Sequence, residues 1–119
     1  MTKERPTIIS EDEDIVVVNK PAHWLSIPDR YDASKPNLYR WLQQQREQVF
    51  IVHRLDRETS GIICFAKNES AHKHLSRQFE QRTTTKIYQV LLEGTPARDS
   101  GVIDKSIAKS LTHPGRMVI

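Results

Sequence analysis

The chain has 119 residues and a formal net charge of +3, with 37% hydrophobic and 28% charged residues. That length holds one domain at most, the apolar and charged balance is that of a folded chain, and no run is long enough to span a membrane. The single cysteine, Cys64, excludes a disulfide framework, and the N-terminus lacks the apolar stretch of a signal peptide; a reducing, cytoplasmic setting is expected.

In chain order, an acidic run at residues 11–14 reads as a solvated turn, and the β-branched run at 15–18 as a buried strand stopped by Pro21. Residues 22–36 are rich in turn formers and read as a long loop. Leu38, Trp41, Leu42 and Gln45 then recur at helical spacing, with Pro36 tolerable in a first turn and the glutamines facing solvent. Two short apolar runs, VFIV and IICFA, read as strands. Between them lies the charged segment His-Arg-Leu-Asp-Arg-Glu-Thr-Ser-Gly, residues 53–61. The spacing predicts a helix over 68–81, capped by Asn68, with Ala71, Leu75 and Phe79 on one face. A strand is expected over 86–92, ended by Gly94, then a loop-rich segment, with residues 117–119 opening another strand. The fold class is therefore α+β: a mixed, mainly antiparallel sheet with flanking helices.

The candidate sites narrow quickly. No pair among His23, His53, His72, His74 and His113 has zinc-ligand spacing with a third partner nearby, so no metal is expected. Kinase chemistry is excluded by the absence of a glycine-rich loop and of an Asp-Phe-Gly segment. The 53–61 segment remains. There Asp56 lies between Arg54 and Arg57, which favour its ionised form. Thr59, Ser60 and Gly61 offer hydroxyls and a tight entry into the next strand. Spacing alone favours a salt-bridged surface turn over an active-site loop.

The segment HRLDRETSG, preceded by VVVNKP and followed by KIYQVLLEG, resembles the RluA-type family of RNA pseudouridine synthases, with its three motifs in the family's order from about residue 7 onward. WLSIPDR fits the same branch, although His23 stands where the family usually has glycine. The resemblance implies isomerisation of uridine within ribosomal or transfer RNA, without cofactor or metal. It makes Asp56 the catalytic aspartate, acting by covalent attack or by abstracting a ribose proton. Tyr88 becomes the active-site tyrosine that packs on the target base. Arg54 becomes the residue that fills the stack when the uridine is flipped out. Arg57 and Lys86 become RNA contacts, and Lys20 and Pro21 shape the exit of the first strand without a chemical role.

The family's catalytic domain is longer than this chain, and its later motif, which supplies a basic partner to the aspartate, has no counterpart here. Residues 1–119 are therefore expected to form a single partial domain, the N-terminal portion of a synthase catalytic domain, inactive alone and prone to self-association through an exposed sheet edge. The competing reading is a noncatalytic RNA-binding module that uses Arg54, Arg57, Arg82 and Lys86.

Overall fold

The computed structural model describes residues 4–113 and 116–119. It divides into two compact units, Met1–Lys86 and Ile87–Ile119. The first is an α+β unit with strands β1 (Thr7–Glu11), β2 (Ile15–Lys20), β3 (Phe50–Ile51) and β4 (Gly61–Ala66) and helices α1 (Leu38–Gln43) and α2 (Glu69–Glu80). The sheet runs β1-β2-β4-β3 and is antiparallel at every strand pair. Among the described residues the one parallel pairing is an isolated bridge between Leu25 and Asn37.

Alternation along β2 decides which side chains enter the core. Val16, Val18 and Lys20 are fully buried, whereas Asn19 is exposed. Ile63 and Phe65 of β4 lie on the same face, opposite Val18 and Val16 in the register. Leu38 and Leu42, one helical turn apart on α1, close over them with Val49 and Leu55, and Trp24, Tyr39 and Trp41 pack at the margin. Removing a solvent-shielded leucine from such a cluster costs about 3 kcal/mol.

Helix α1 starts where the spacing puts it but ends early, at Gln43 with Gln44 as its C-cap. Pro36 precedes the first turn, and Asn37 caps it by accepting the Arg40 N–H at 2.9 Å. The Leu38 and Tyr39 N–H groups donate to the carbonyls of Leu25 and Ser26. The first three amide donors of α1 are thus all paired, and residues 25–26 are bound to the helix start. Gln45 lies beyond the helix end.

Helix α2 forms as its cap predicts: the Asn68 side chain accepts the Ala71 N–H at 2.8 Å and donates to Asp14 at 2.7 Å. It ends in a Schellman motif, with the Arg82 N–H on the Phe79 carbonyl and the Thr83 N–H on the Gln78 carbonyl. Arg82 occupies the left-handed position, φ 56°. Ala71, Leu75 and Phe79 are half-buried. The acidic turn is engaged rather than merely solvated. The Asp12 carboxylate accepts the Asp14 and Ile15 N–H groups, and Glu11 takes two hydrogen bonds from Arg46 and an ion pair from Lys67 at 2.8 Å.

Strand β1 had no forecast in the residue pattern, since all five of its residues are exposed. The strand expected at 86–92 does not form. Those residues pair with no strand, and Ile87, Val90 and Leu91 are exposed; an apolar alternation supplies side chains for a sheet but no partner. The second unit holds strands β5 (Ala108–Lys109) and β6 (Met117–Val118), paired antiparallel, so the final apolar residues do enter a ladder. No helix among the described residues is long and apolar enough to cross a membrane.

Candidate active site

The segment between β3 and β4 alternates abruptly in burial. Leu55 is inserted in the core, while its neighbours Arg54, Asp56 and Arg57 are exposed. Burying one apolar residue in a charged run anchors the run and turns the adjacent side chains outward. A turn follows, with the Thr59 N–H donating to the Asp56 carbonyl at 3.1 Å. The chain then enters β4 through Gly61, whose φ of 133° is a conformation that side chains disfavour.

The salt-bridged turn that the spacing allowed is not what forms. Among the described residues the ion pairs are Lys35–Asp29, Arg46–Glu11 and Lys67–Glu11, and none involves Arg54, Asp56 or Arg57. Nor do the side-chain hydroxyls of Thr59 and Ser60 hold the loop through hydrogen bonds among those residues. The loop is fixed through its backbone instead.

Three consecutive carbonyls are held. Leu55 is gripped by Ser26, whose hydroxyl donates to the Leu55 carbonyl at 2.9 Å and accepts the Leu55 N–H at 3.0 Å. The Asp56 carbonyl accepts Thr59. The Arg57 carbonyl accepts the Lys20 ammonium at 3.0 Å and the His23 N–H at 2.7 Å. Lys20 completes its set of three donors on the carbonyls of Pro21, 3.1 Å, and Trp24, 2.6 Å. Its charge is thus buried but fully hydrogen-bonded. Burial pushes its pKa below the ordinary lysine value, while the Glu58 and Asp56 carboxylates pull the other way.

Lys20 therefore does more than shape a strand exit: it ties β2 to the loop that carries Asp56. The signal was present in VVVNK, where the two-residue period already puts the lysine on the buried face. His23 has φ 72°, the left-handed region in which glycine is the residue of least strain. The departure from glycine at this position therefore falls on a turn, and its backbone N–H still reaches Arg57.

His53 opens the segment and has a different task. Its Nε2 accepts the Cys64 N–H at 3.1 Å, which places the ring proton on Nδ1. The ring stacks on Phe79 of α2 at 4.3 Å between centroids, and a second stack joins Phe50 to His72. Lys86 lies over the other partner of this stack, 5.5 Å from the Phe79 centroid. Burial and the nearby Lys86 charge lower the His53 pKa to about 4. The imidazole is a neutral structural link between β4 and α2, a role that the motif did not announce.

Of the residues singled out from the sequence, Arg54, Asp56, Arg57 and Lys86 belong to the first unit. Tyr88 belongs to the second, where its side chain is exposed.

The sequence model of the RNA pseudouridylate synthase family matches residues 14–117. The dual-specificity RNA pseudouridine synthase RluA of Vibrio vulnificus is 43% identical over 97 residues, which cover 82% of this chain and 39% of that protein. An uncharacterized RNA pseudouridine synthase of Aquifex aeolicus is 42% identical over 115 residues, 90% of this chain and 35% of its own. The RluA of Salmonella typhi is 40% identical over 97 residues, 82% of this chain and 44% of its own. The chain therefore spans less than half the length of these curated relatives. Among solved structures, human RNA pseudouridylate synthase domain containing 4 aligns with 64% of this chain and 30% of its own, at 20% identity and a TM-score of 0.45.

Proposed function

Because this chain belongs to the RNA pseudouridylate synthase family, we propose that it carries the uridine-isomerising aspartate of an RNA pseudouridine synthase, Asp56, acting on ribosomal or transfer RNA in the cytoplasm. The observation that carries this reading is the presentation of Asp56: an exposed carboxylate outside any ion pair among the described residues, on a loop whose backbone is held on both sides. A carboxylate spent on a structural salt bridge would have to be released before it could react; this one is exposed and in no ion pair among the described residues.

In the reaction, the bond from the ribose C1′ to uracil N1 breaks, the base turns, and C1′ joins C5. The proton leaves C5 and N1 gains one, so the change is an isomerisation. Asp56 acts either as the nucleophile or as the base that removes a ribose proton. The uridine must first leave the stack, and Arg54, exposed beside Asp56, is suited to take its place. Tyr88 is assigned to packing on the extruded base. Arg57 and Lys86 are assigned to phosphates, contacts whose strength falls with salt. No cofactor or metal is needed for these steps.

The exposure of Arg54, Arg57, Arg82 and Lys86 supports a second reading, a noncatalytic RNA-binding module built on these four residues. Digestion of incubated RNA to nucleosides separates the two. The synthase reading expects pseudouridine to form with the wild-type chain and not with Asp56→Asn, while both bind RNA equally. RNA binding with no pseudouridine from either chain would establish the module and overturn the synthase reading for this chain.

A further inference from the structure

Ser26 lies 29 residues before Leu55, between Leu25 and Ile27 in the loop ahead of α1. It is 2% exposed, a rare place for a hydroxyl unless it is fully hydrogen-bonded. Its single oxygen serves both polar groups of one residue, donating to the Leu55 carbonyl at 2.9 Å and accepting the Leu55 N–H at 3.0 Å. These groups belong to the two successive peptide planes that flank Leu55, and the second plane leads directly into Asp56. Ser26 is itself tethered, since its carbonyl accepts the Tyr39 N–H of α1 and the neighbouring Leu25 is bonded to Pro36 and Leu38. A chain of hydrogen bonds therefore runs from the start of α1 through one hydroxyl to the backbone of the aspartate.

We propose that Ser26 is a positioning residue for Asp56, fixing the peptide planes on its N-terminal side and so the direction in which the carboxylate is presented. The assignment rests on Asp56 being the reacting group. Lys20 and the His23 amide fix the C-terminal side at Arg57, and the aspartate is suspended between the two clamps. A site held to within a fraction of an ångström needs such a supporting set of bonds. Leu55 alone, an apolar anchor, would leave rotation about its own backbone unconstrained. The hydroxyl removes that freedom in a way that no hydrocarbon of the same size can.

The test compares wild type, Ser26→Ala and Ser26→Thr in the full chain by two independent readouts. In turnover of RNA, Ser26→Ala is expected to lower kcat about 10- to 100-fold, the scale of a misplaced reacting group, with KM little changed. Ser26→Thr, which keeps the hydroxyl, is expected to recover most of that loss. By NMR, Ser26→Ala is expected to speed exchange of the Leu55 amide about tenfold and to shift the Asp56 carboxyl resonance, leaving the α2 amides as in wild type. Unchanged kcat, or an Asp56 resonance unmoved by Ser26→Ala, overturns the proposal and leaves Ser26 a stability tie. If the wild-type chain makes no pseudouridine, the synthase reading fails separately, and the Leu55 and Asp56 resonances still decide whether Ser26 sets the carboxylate.

Discussion

The Lys20 ammonium meets the carbonyl oxygen of Arg57 at 3.0 Å across 37 residues of sequence, with no part of Lys20 exposed to solvent. A buried cation is stable there only because three carbonyls replace its water. Lys20→Met keeps the packing volume but takes the ammonium from all three carbonyls, leaving the His23 N–H on that of Arg57 and the Trp24 N–H on that of Pro21. It is expected to lower the unfolding free energy by about 2 kcal/mol, the worth of the charge-assisted hydrogen bonds it removes. Urea denaturation of the two chains measures it. A loss below about 1 kcal/mol, the worth of one ordinary hydrogen bond, means that Lys20 does not hold the loop.

Arg82 gives a prediction of the opposite sign. It sits at the left-handed position of the Schellman motif that ends α2, where a side chain costs about 1 kcal/mol that glycine avoids. Arg82→Gly should raise the thermal midpoint, the gain at a helix end exceeding the entropy glycine adds to the unfolded chain. The same variant should weaken RNA binding only if the arginine also contacts phosphate.

His53 sets a pH dependence. Its ring is neutral in the folded protein down to about pH 4, whereas in the unfolded chain it takes up a proton near 6.5. The unfolded state therefore binds more protons between those values, and stability falls as pH drops from 6.5 toward 4. The contribution is complete above 6.5. Ring nitrogen shifts should report a midpoint near 4 and an Nδ1–H tautomer above it. Urea midpoints of His53→Gln should vary less with pH across that window than those of wild type.

Glu11 acts in a more acidic window. Hydrogen bonds from Arg46 and Lys67, with their charges, hold its carboxyl at about 2. Its stabilisation is present above the unfolded value of 4.5 and is lost as pH falls through 2. The site is partly open to solvent, so Glu11→Gln should cost only about 1 kcal/mol at neutral pH. The difference between the two chains should shrink toward pH 2 and in high salt.

Much of the first unit was legible because its signals are local or strictly periodic. Asn68 stood where a cap must stand, and the alternation of Val16 and Val18 put one face of β2 into the core. That same alternation, carried one step further, buried Lys20, but a lysine at the end of an apolar run invites reading as an exposed terminus. Strand β1 was missed because an edge strand with five exposed residues has no buried face to impose a period. The 86–92 segment misled for the converse reason, since its apolar residues alternate but join no strand among the described residues. At the site, the Asp56 motif stood out as a run of unusual residues. Ser26 did not, because a serine between leucine and isoleucine becomes informative only when the residue facing it 29 positions away is known.

The claim that Asp56 is the reacting group is tested most directly by tritium release from RNA labelled at uracil C5, the atom that must lose its hydrogen when the new bond to ribose forms. Wild type and Asp56→Asn are to be compared at RNA concentrations where both are bound. Release by the wild-type chain and none by Asp56→Asn is the expected result. Equal release from the two, or full binding with release from neither, would contradict it.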